Sequence, residues 1–331
     1  MDLANFIKAN LYLLEDNYGS SIEELKSFVI SNDAPKEIYI LLGSVLRKNG
    51  EYEKAIHIHE SLVGDKTLTN KLNKILYFEL VKDYRDFKDY KKSLYYAQKL
   101  LDIDKSPIIF KYVYELNLSL KNFDDAFKYL LKYQKGNKGD FSKELSYILY
   151  EKYLSQEKKD DSLLKKALKL YSKNRPVNLI LFDQVYATGK KSKILDAFED
   201  LLKKDVIKAE KDLKKFENDF FTIGLYKEFE SAVFKKIAQS SSNPVYAVYS
   251  SNLFIKKNNP EKANEVLVSY LNNIGEKNIV KNKILSLQLP EDLKSKFKFS
   301  DTYICSACRA DFDKYYEYCP NCKSIETIDF K

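Results

Sequence analysis

A chain of 331 residues with 44% hydrophobic and 31% charged content can bury a sizeable core, and its scarcity of glycine (9) and proline (7) favours long helices over an all-β fold. It has no run of eighteen apolar residues and no basic-then-apolar N-terminus, which argues against a membrane span and a secretion signal. The formal charge of +8 comes from 56 Lys+Arg against 48 Asp+Glu, interleaved along the chain as on solvated helix faces; even the densest basic stretch, residues 203–215, carries Asp205, Glu210 and Asp212, so a nucleic-acid partner is not expected.

In chain order, residues 2–35 and 36–69 read as two copies of one 34-residue unit of paired amphipathic helices. In the second copy Tyr39, Leu42, Gly43 and Leu46 share a face of the first helix, Asn49-Gly50-Glu51 makes the turn, and Ala55, His59 and Leu62 come next at helical spacing. In the first copy Ala9, Tyr12, Leu25 and Phe28 take the matching places. Gly43 and Ala55 are small enough to let the paired helices approach closely. The turn-then-alanine pattern returns at Asn122–Ala126 and at Asn259–Ala263, where Pro260 suits a first helical position. Pro35, Pro107, Pro176 and Pro244 recur at about twice the repeat length and are expected to open every second repeat. The expectation is an all-α array of about eight helical hairpins over residues 1–289, with the least certain register at 138–221. The unit resembles the tetratricopeptide repeat, whose arrays form α-solenoids that hold proteins or peptides.

Residues 290–302 form a connector that opens on Pro290 and carries Phe297 and Phe299 among lysines, placed to dock the C-terminal segment onto the last repeat. Residues 303–331 hold all four cysteines, Cys305, Cys308, Cys319 and Cys322, as C-x2-C, ten residues, then C-x2-C. Each pair fits one tight turn that points two sulfurs at one ion, and four thiolates suit a tetrahedral metal. With no ligand place left for water, the site is expected to be structural, holding Zn²⁺; iron in a rubredoxin-like site fits the same spacing. Two disulfides would suit a secreted chain, whereas the metal reading suits a reducing, cytoplasmic compartment. Arg309, Lys314 and Lys323 lie close enough in sequence to offset the site's negative charge.

His57 and His59, the only histidines, stand two apart on a helix and cannot share a face, so they make a poor metal pair. Asp124-Asp125 and Asp160-Asp161 read as helix starts. No phosphate loop, dinucleotide fingerprint or nucleophile elbow is present, and a non-enzyme is expected.

A helical-repeat array followed by this four-cysteine module resembles the lipopolysaccharide assembly protein B (LapB/YciM) family. The likeness is carried by Leu42-Gly43 through Arg47, Gly50-Glu51, Ala55-Ile56, Ile58-His59 and the tail from Tyr303 through Cys322 to Thr327-Ile328. It implies a metal module packed on the repeats. It also implies an adaptor role at the cytoplasmic face of the inner membrane, where the protease FtsH degrades the deacetylase that commits the cell to lipid A. Three features depart from the family. The family's leading transmembrane helix has no counterpart before the first repeat, which leaves peripheral membrane association open. Arg309 stands where the family has glycine, and Glu317 and Ile325 stand where it has tryptophan. A second reading is a general scaffold whose ribbon contacts protein or RNA, with Tyr315, Tyr316 and Tyr318 available to stack bases.

Overall fold

A computed structural model describes residues 3–31, 34–238, 242–275, 277–288 and 303–331. The connector at 290–302, with Pro290, Phe297 and Phe299, lies outside the described residues. The chain divides into two compact units, Met1–Phe141 and Ser142–Lys331.

The first unit is four helical hairpins: α1 (Leu3–Leu14) with α2 (Tyr18–Ser31), α3 (Lys36–Lys48) with α4 (Tyr52–Ser61), α5 (Asn70–Asp86) with α6 (Tyr90–Ile103), and α7 (Pro107–Ser119) with α8 (Phe123–Asn137). The turn inside each hairpin is the same device. One residue takes left-handed backbone, at Asp16 (φ 54°), Gly50 (84°), Lys88 (66°) and Lys121 (59°). The next residue, Asn17, Glu51, Asp89 or Asn122, precedes the first residue of the second helix. At Asp89 the carboxylate also accepts from the Lys92 N–H at 3.0 Å, covering one of the helix's orphan donors.

Leu42, Leu46 and Ala55 are buried as their spacing requires, and Gly43 lies against the His59 ring. A Cβ at position 43 would sit 2.5 Å from His59 Nε2. Gly43→Ala is therefore expected to cost about 1–3 kcal/mol, because the ring it meets is held in place on both sides. Urea denaturation checks this, and an unchanged midpoint would contradict it. His59 is fully buried, with Nδ1 2.5 Å from Asp83 Oδ2 and Nε2 3.0 Å from the Ile40 carbonyl. Arg47 completes the cluster. Its Nη1 donates to Glu79 Oε2 at 2.6 Å and Asp83 Oδ1 at 2.9 Å, and its Nε lies 3.6 Å from Asp86 Oδ2. The Arg47 side chain is 8% exposed and Asp83 is 0%, so α3, α4 and α5 are joined by a buried ion network as well as by leucines.

The second unit continues the pattern with α9 (Ser142–Ser155) and α10 (Asp161–Leu170), α11 (Arg175–Ala187) and α12 (Lys191–Lys204), α13 (Glu210–Thr222) and α14 (Tyr226–Ala238), α15 (Pro244–Lys256) and α16 (Pro260–Ile274), then α17 (Asn278–Gln288). Gly189, Gly224 and Asn258 supply the left-handed turn residue in the last three hairpins. Among the described residues this gives seventeen helices, hence eight hairpins and one further helix. Pro35, Pro107, Pro176 and Pro244 stand at the starts of α3, α7, α11 and α15, the first helix of every second hairpin, and Pro260 opens α16. Asp124 and Asp125 fall in the first turn of α8, while Asp160 caps α10, its carboxylate accepting from the Ser162 N–H at 2.9 Å.

One core runs from α11 to the C-terminal strand of the second unit. Phe182, Phe198, Phe216, Phe220 and Phe229 meet Tyr246 and Tyr249 of α15, and the same cluster takes in Tyr303, Cys305, Cys319, Ile328 and Phe330. Those five come from a small antiparallel sheet and its knuckles: β1 (Tyr303–Cys305) lies between β2 (Asp311–Phe312) and β3 (Ile328–Phe330). Tyr303 stands opposite both Phe312 and Phe330. The cysteine module thus shares one apolar core with α11–α17.

Candidate metal centre

The two cysteine turns are built alike. In the first, the Cys305 N–H donates to the Ala310 carbonyl at 3.0 Å and the Arg309 N–H to the Cys305 carbonyl at 2.8 Å. In the second, the Cys319 N–H donates to Ser324 and the Lys323 N–H to Cys319, both at 2.9 Å. The residue after the second cysteine of each turn takes left-handed backbone, Arg309 and Lys323 both at φ 61°. A side chain at such a position costs about 1–2 kcal/mol.

The turns bring all four sulfurs together. Their Sγ atoms lie within 4.8 Å of one another, with Cys305–Cys322 and Cys308–Cys319 each at 3.7 Å. A tetrahedron of thiolates about 2.3 Å from one ion has edges of about 3.8 Å, so these two pairs already stand at ligand spacing. Cys305 and Cys319 are buried, Cys308 is half-buried and Cys322 is exposed. Thr327 Oγ1 lies 3.1 Å from Cys305 Sγ, Ser324 Oγ 3.3 Å from Cys322 Sγ, and Asn321 Nδ2 3.4 Å from Cys308 Sγ, a ring of donors suited to thiolate. Burial works to raise the Cys305 thiol, but the Thr327 hydroxyl and nearby backbone N–H groups outweigh it and lower it; burial raises Cys319. A bound cation would hold all four sulfurs deprotonated.

Beside this centre, a second polar cluster fixes the module to the helices. Two carboxylates, Glu317 and Glu326, are set side by side because the Glu326 N–H donates to the Glu317 carbonyl at 2.7 Å and Tyr318 pairs with Ile325. Glu326 accepts from Tyr147 at 2.6 Å and from Tyr171 at 2.8 Å. Glu317 pairs with Arg175 Nη1 and accepts from Tyr147 and Tyr315, both at 3.3 Å. Arg175 Nη2 also donates to both oxygens of Asp212 at 2.9 Å. Lys143 donates to the Ile325 carbonyl at 2.8 Å, and Tyr318 donates to Glu151 at 2.8 Å with its ring edge-on to Tyr147. Burial pushes the Glu317 carboxyl up against the pull of Arg175, and raises Tyr147 and Tyr171 further with help from the neighbouring carboxylates. Glu317 and Ile325 are therefore both contact points with the helices.

The structure revises the part expected of the tyrosines. Tyr318 is bound to Glu151 and Tyr147, and Tyr315 lies under the Arg175 guanidinium at 5.4 Å, so neither presents a free face for base stacking. Tyr316 stacks edge-on with Phe312 and carries the Lys314 ammonium at 5.2 Å. Lys323 donates to the Pro320 carbonyl. His57 is exposed and His59 buried, on opposite sides of α4, and both ring nitrogens of His59 face acceptors. Sequence reasoning missed Arg175, Tyr147, Tyr171 and Glu326. An arginine directly before Pro176 at a helix start was the only local signal.

No helix among the described residues is long and apolar enough to cross a membrane. No protein-family model matches the sequence. No curated protein matches it either. Among solved structures the chain is similar to a tetratricopeptide repeat protein from Parabacteroides merdae (TM-score 0.41, 12% identity, 86% of this chain and 98% of that one). It is similar also to the C-terminal part of a repeat protein from Cytophaga hutchinsonii (TM-score 0.39, 14% identity, 84% and 99%). A third is the TPR2AB domain of yeast Sti1 in its pHSP90 complex (TM-score 0.33, 13% identity, 68% and 97%).

Proposed function

We propose that this chain is a non-catalytic protein-interaction scaffold whose metal module, held by Cys305, Cys308, Cys319 and Cys322, is part of its working surface. The observation that carries the reading is the four-sulfur centre built into the same core as an array of helical hairpins. An array of this kind offers a long face to a protein partner, and a closed thiolate site offers no place for a reacting water. Functionally the chain divides into an array over residues 1–289, a connector at 290–302 and the metal module at 303–331. Zinc is the metal proposed, with iron the rival.

The resemblance to the LapB family narrows the partner. On that reading the chain works at the cytoplasmic face of the inner membrane, reached through a partner. It promotes FtsH-dependent degradation of the deacetylase that commits the cell to lipid A, and so sets lipopolysaccharide synthesis. The test is the half-life of that deacetylase in the source organism with the chain present and depleted. A severalfold longer half-life on depletion supports the adaptor reading. An unchanged half-life removes FtsH and the deacetylase as partners and leaves a general scaffold.

A further inference from the structure

The metal module does not rest on the second unit at random. Its polar contacts fall on Lys143, Tyr147 and Glu151 along one stripe of α9, on Tyr171 just after α10, on Arg175 at the start of α11 with Asp212 of α13 behind it, and on Asn278 of α17, whose N–H donates to the Lys331 carbonyl at 3.0 Å. What those helices hold most closely is a pair of carboxylates. Four donors converge on Glu317 and Glu326: the Arg175 guanidinium and the hydroxyls of Tyr147, Tyr171 and Tyr315. Three of these belong to the helical part of the chain. Arg175 is 12% exposed and is braced by Asp212, so its charge is already oriented. Its Nε–H is buried with no acceptor among the described residues, so the site has donor capacity that Glu317 leaves unused. Charge favours the same kind of ligand, since residues 142–288 carry 27 Lys+Arg against 19 Asp+Glu.

We infer that Tyr147, Tyr171 and Arg175 form a carboxylate-binding site that the module's Glu317 and Glu326 fill in cis, and that a glutamate-rich segment of a partner protein fills it when the module leaves. Opening of the second cysteine turn would permit the exchange. Glu317 and Glu326 flank the second cysteine turn and are aligned by its backbone pairing, so they are presented as a pair only while Cys319 and Cys322 hold their turn. The competition is one of effective concentration: the tethered pair excludes a free acidic segment until the turn opens. The inference assumes the scaffold reading but not the identity of its partner, so its failure would leave a measured effect on deacetylase half-life untouched.

The test uses the full chain loaded with zinc and a fluorescently labelled ten-residue poly-glutamate peptide. The parent is expected to bind weakly. Glu317→Gln with Glu326→Gln, checked for full metal content by mass spectrometry, is expected to bind at least tenfold more tightly. Adding Arg175→Ala, or separately Tyr147→Phe with Tyr171→Phe, is expected to return binding to the parent level. The phenylalanine pair keeps the apolar packing and guards against misfolding of the arginine variant. The inference is overturned if the glutamine pair binds no more tightly than the parent, or if its gain survives the phenylalanine pair, which would place the peptide on the general basic surface.

Discussion

Cys305→Ser is expected to abolish tight metal binding and to loosen the end of the second unit, not the tail alone. A structural four-thiolate site supplies on the order of 10 kcal/mol to the fold around it, which a module of under thirty residues cannot replace from its own core. Tyr303, Ile328 and Phe330 would leave the cluster they share with α11–α17, forfeiting about 1.5–3 kcal/mol each. Hydrogen exchange followed by mass spectrometry, with the chelated parent as a second arm, should show lost protection across 303–331, in α17 and at Tyr147 of α9. The helices α3–α8 of the first unit should keep theirs. Unchanged protection in α15–α17 would mean that the helices hold their core without the module.

Arg47→Ala is the corresponding experiment on the first unit. It takes the guanidinium from Glu79 and Asp83, both buried, leaving Lys82 and His59 as their partners, and is expected to cost about 3–5 kcal/mol. Urea denaturation followed by exchange in α3–α5 reads the loss. Adding Glu79→Gln to Arg47→Met should recover part of it, because the penalty lies in the uncompensated charge more than in the missing bond. The pH dependence gives an independent readout. Burial works to raise Glu79, but Lys82 and Arg47 outweigh it and hold the carboxyl below its ordinary 4.5. A lowered carboxylate contributes stability that is present above that value and is lost as pH falls below it. Without Arg47 only Lys82 opposes burial, so the gain in stability between pH 3 and pH 6 should shrink, by about 1 kcal/mol or more. A variant with the parent's full pH profile would show that Lys82 alone sets the Glu79 carboxyl.

What could be read from sequence was local. Pro35, Pro107, Pro176 and Pro244 gave the beat of the array because a missing N–H confines proline to helix starts. Leu42, Leu46, Ala55 and Leu62 gave the first hairpins because burial repeats with the helical turn. The cysteine turns were legible because two residues between sulfurs leave little geometric choice. Residues 138–221 were hard to register because the loop between α9 and α10 lacks the left-handed turn residue found in the other hairpins. The carboxylate site was invisible, since Tyr147 and Glu326 lie 179 residues apart and neither a tyrosine nor a glutamate marks itself in a chain rich in both. Glu317 and Ile325 looked like losses from a family pattern, whereas each makes a contact with the helices. The metal motif of the tail stands out in sequence, while the burial of Phe330 does not.

The shared turn of the hairpins has a genealogical consequence. Lys88 and Lys121 hold the same left-handed backbone, and each is followed by a residue with a short polar side chain, Asp89 or Asn122, before the next helix. Excising residues 89–121 would join Lys88 directly to Asn122 and recreate the joint already used at both places. Copying that segment instead would do the same. Each neighbour in a stack of hairpins meets only the next, so one cassette can be gained or lost without redesigning distant parts. Such a chain can change its length in whole hairpins over evolutionary time while the cysteine module keeps its contacts with α9 and α11.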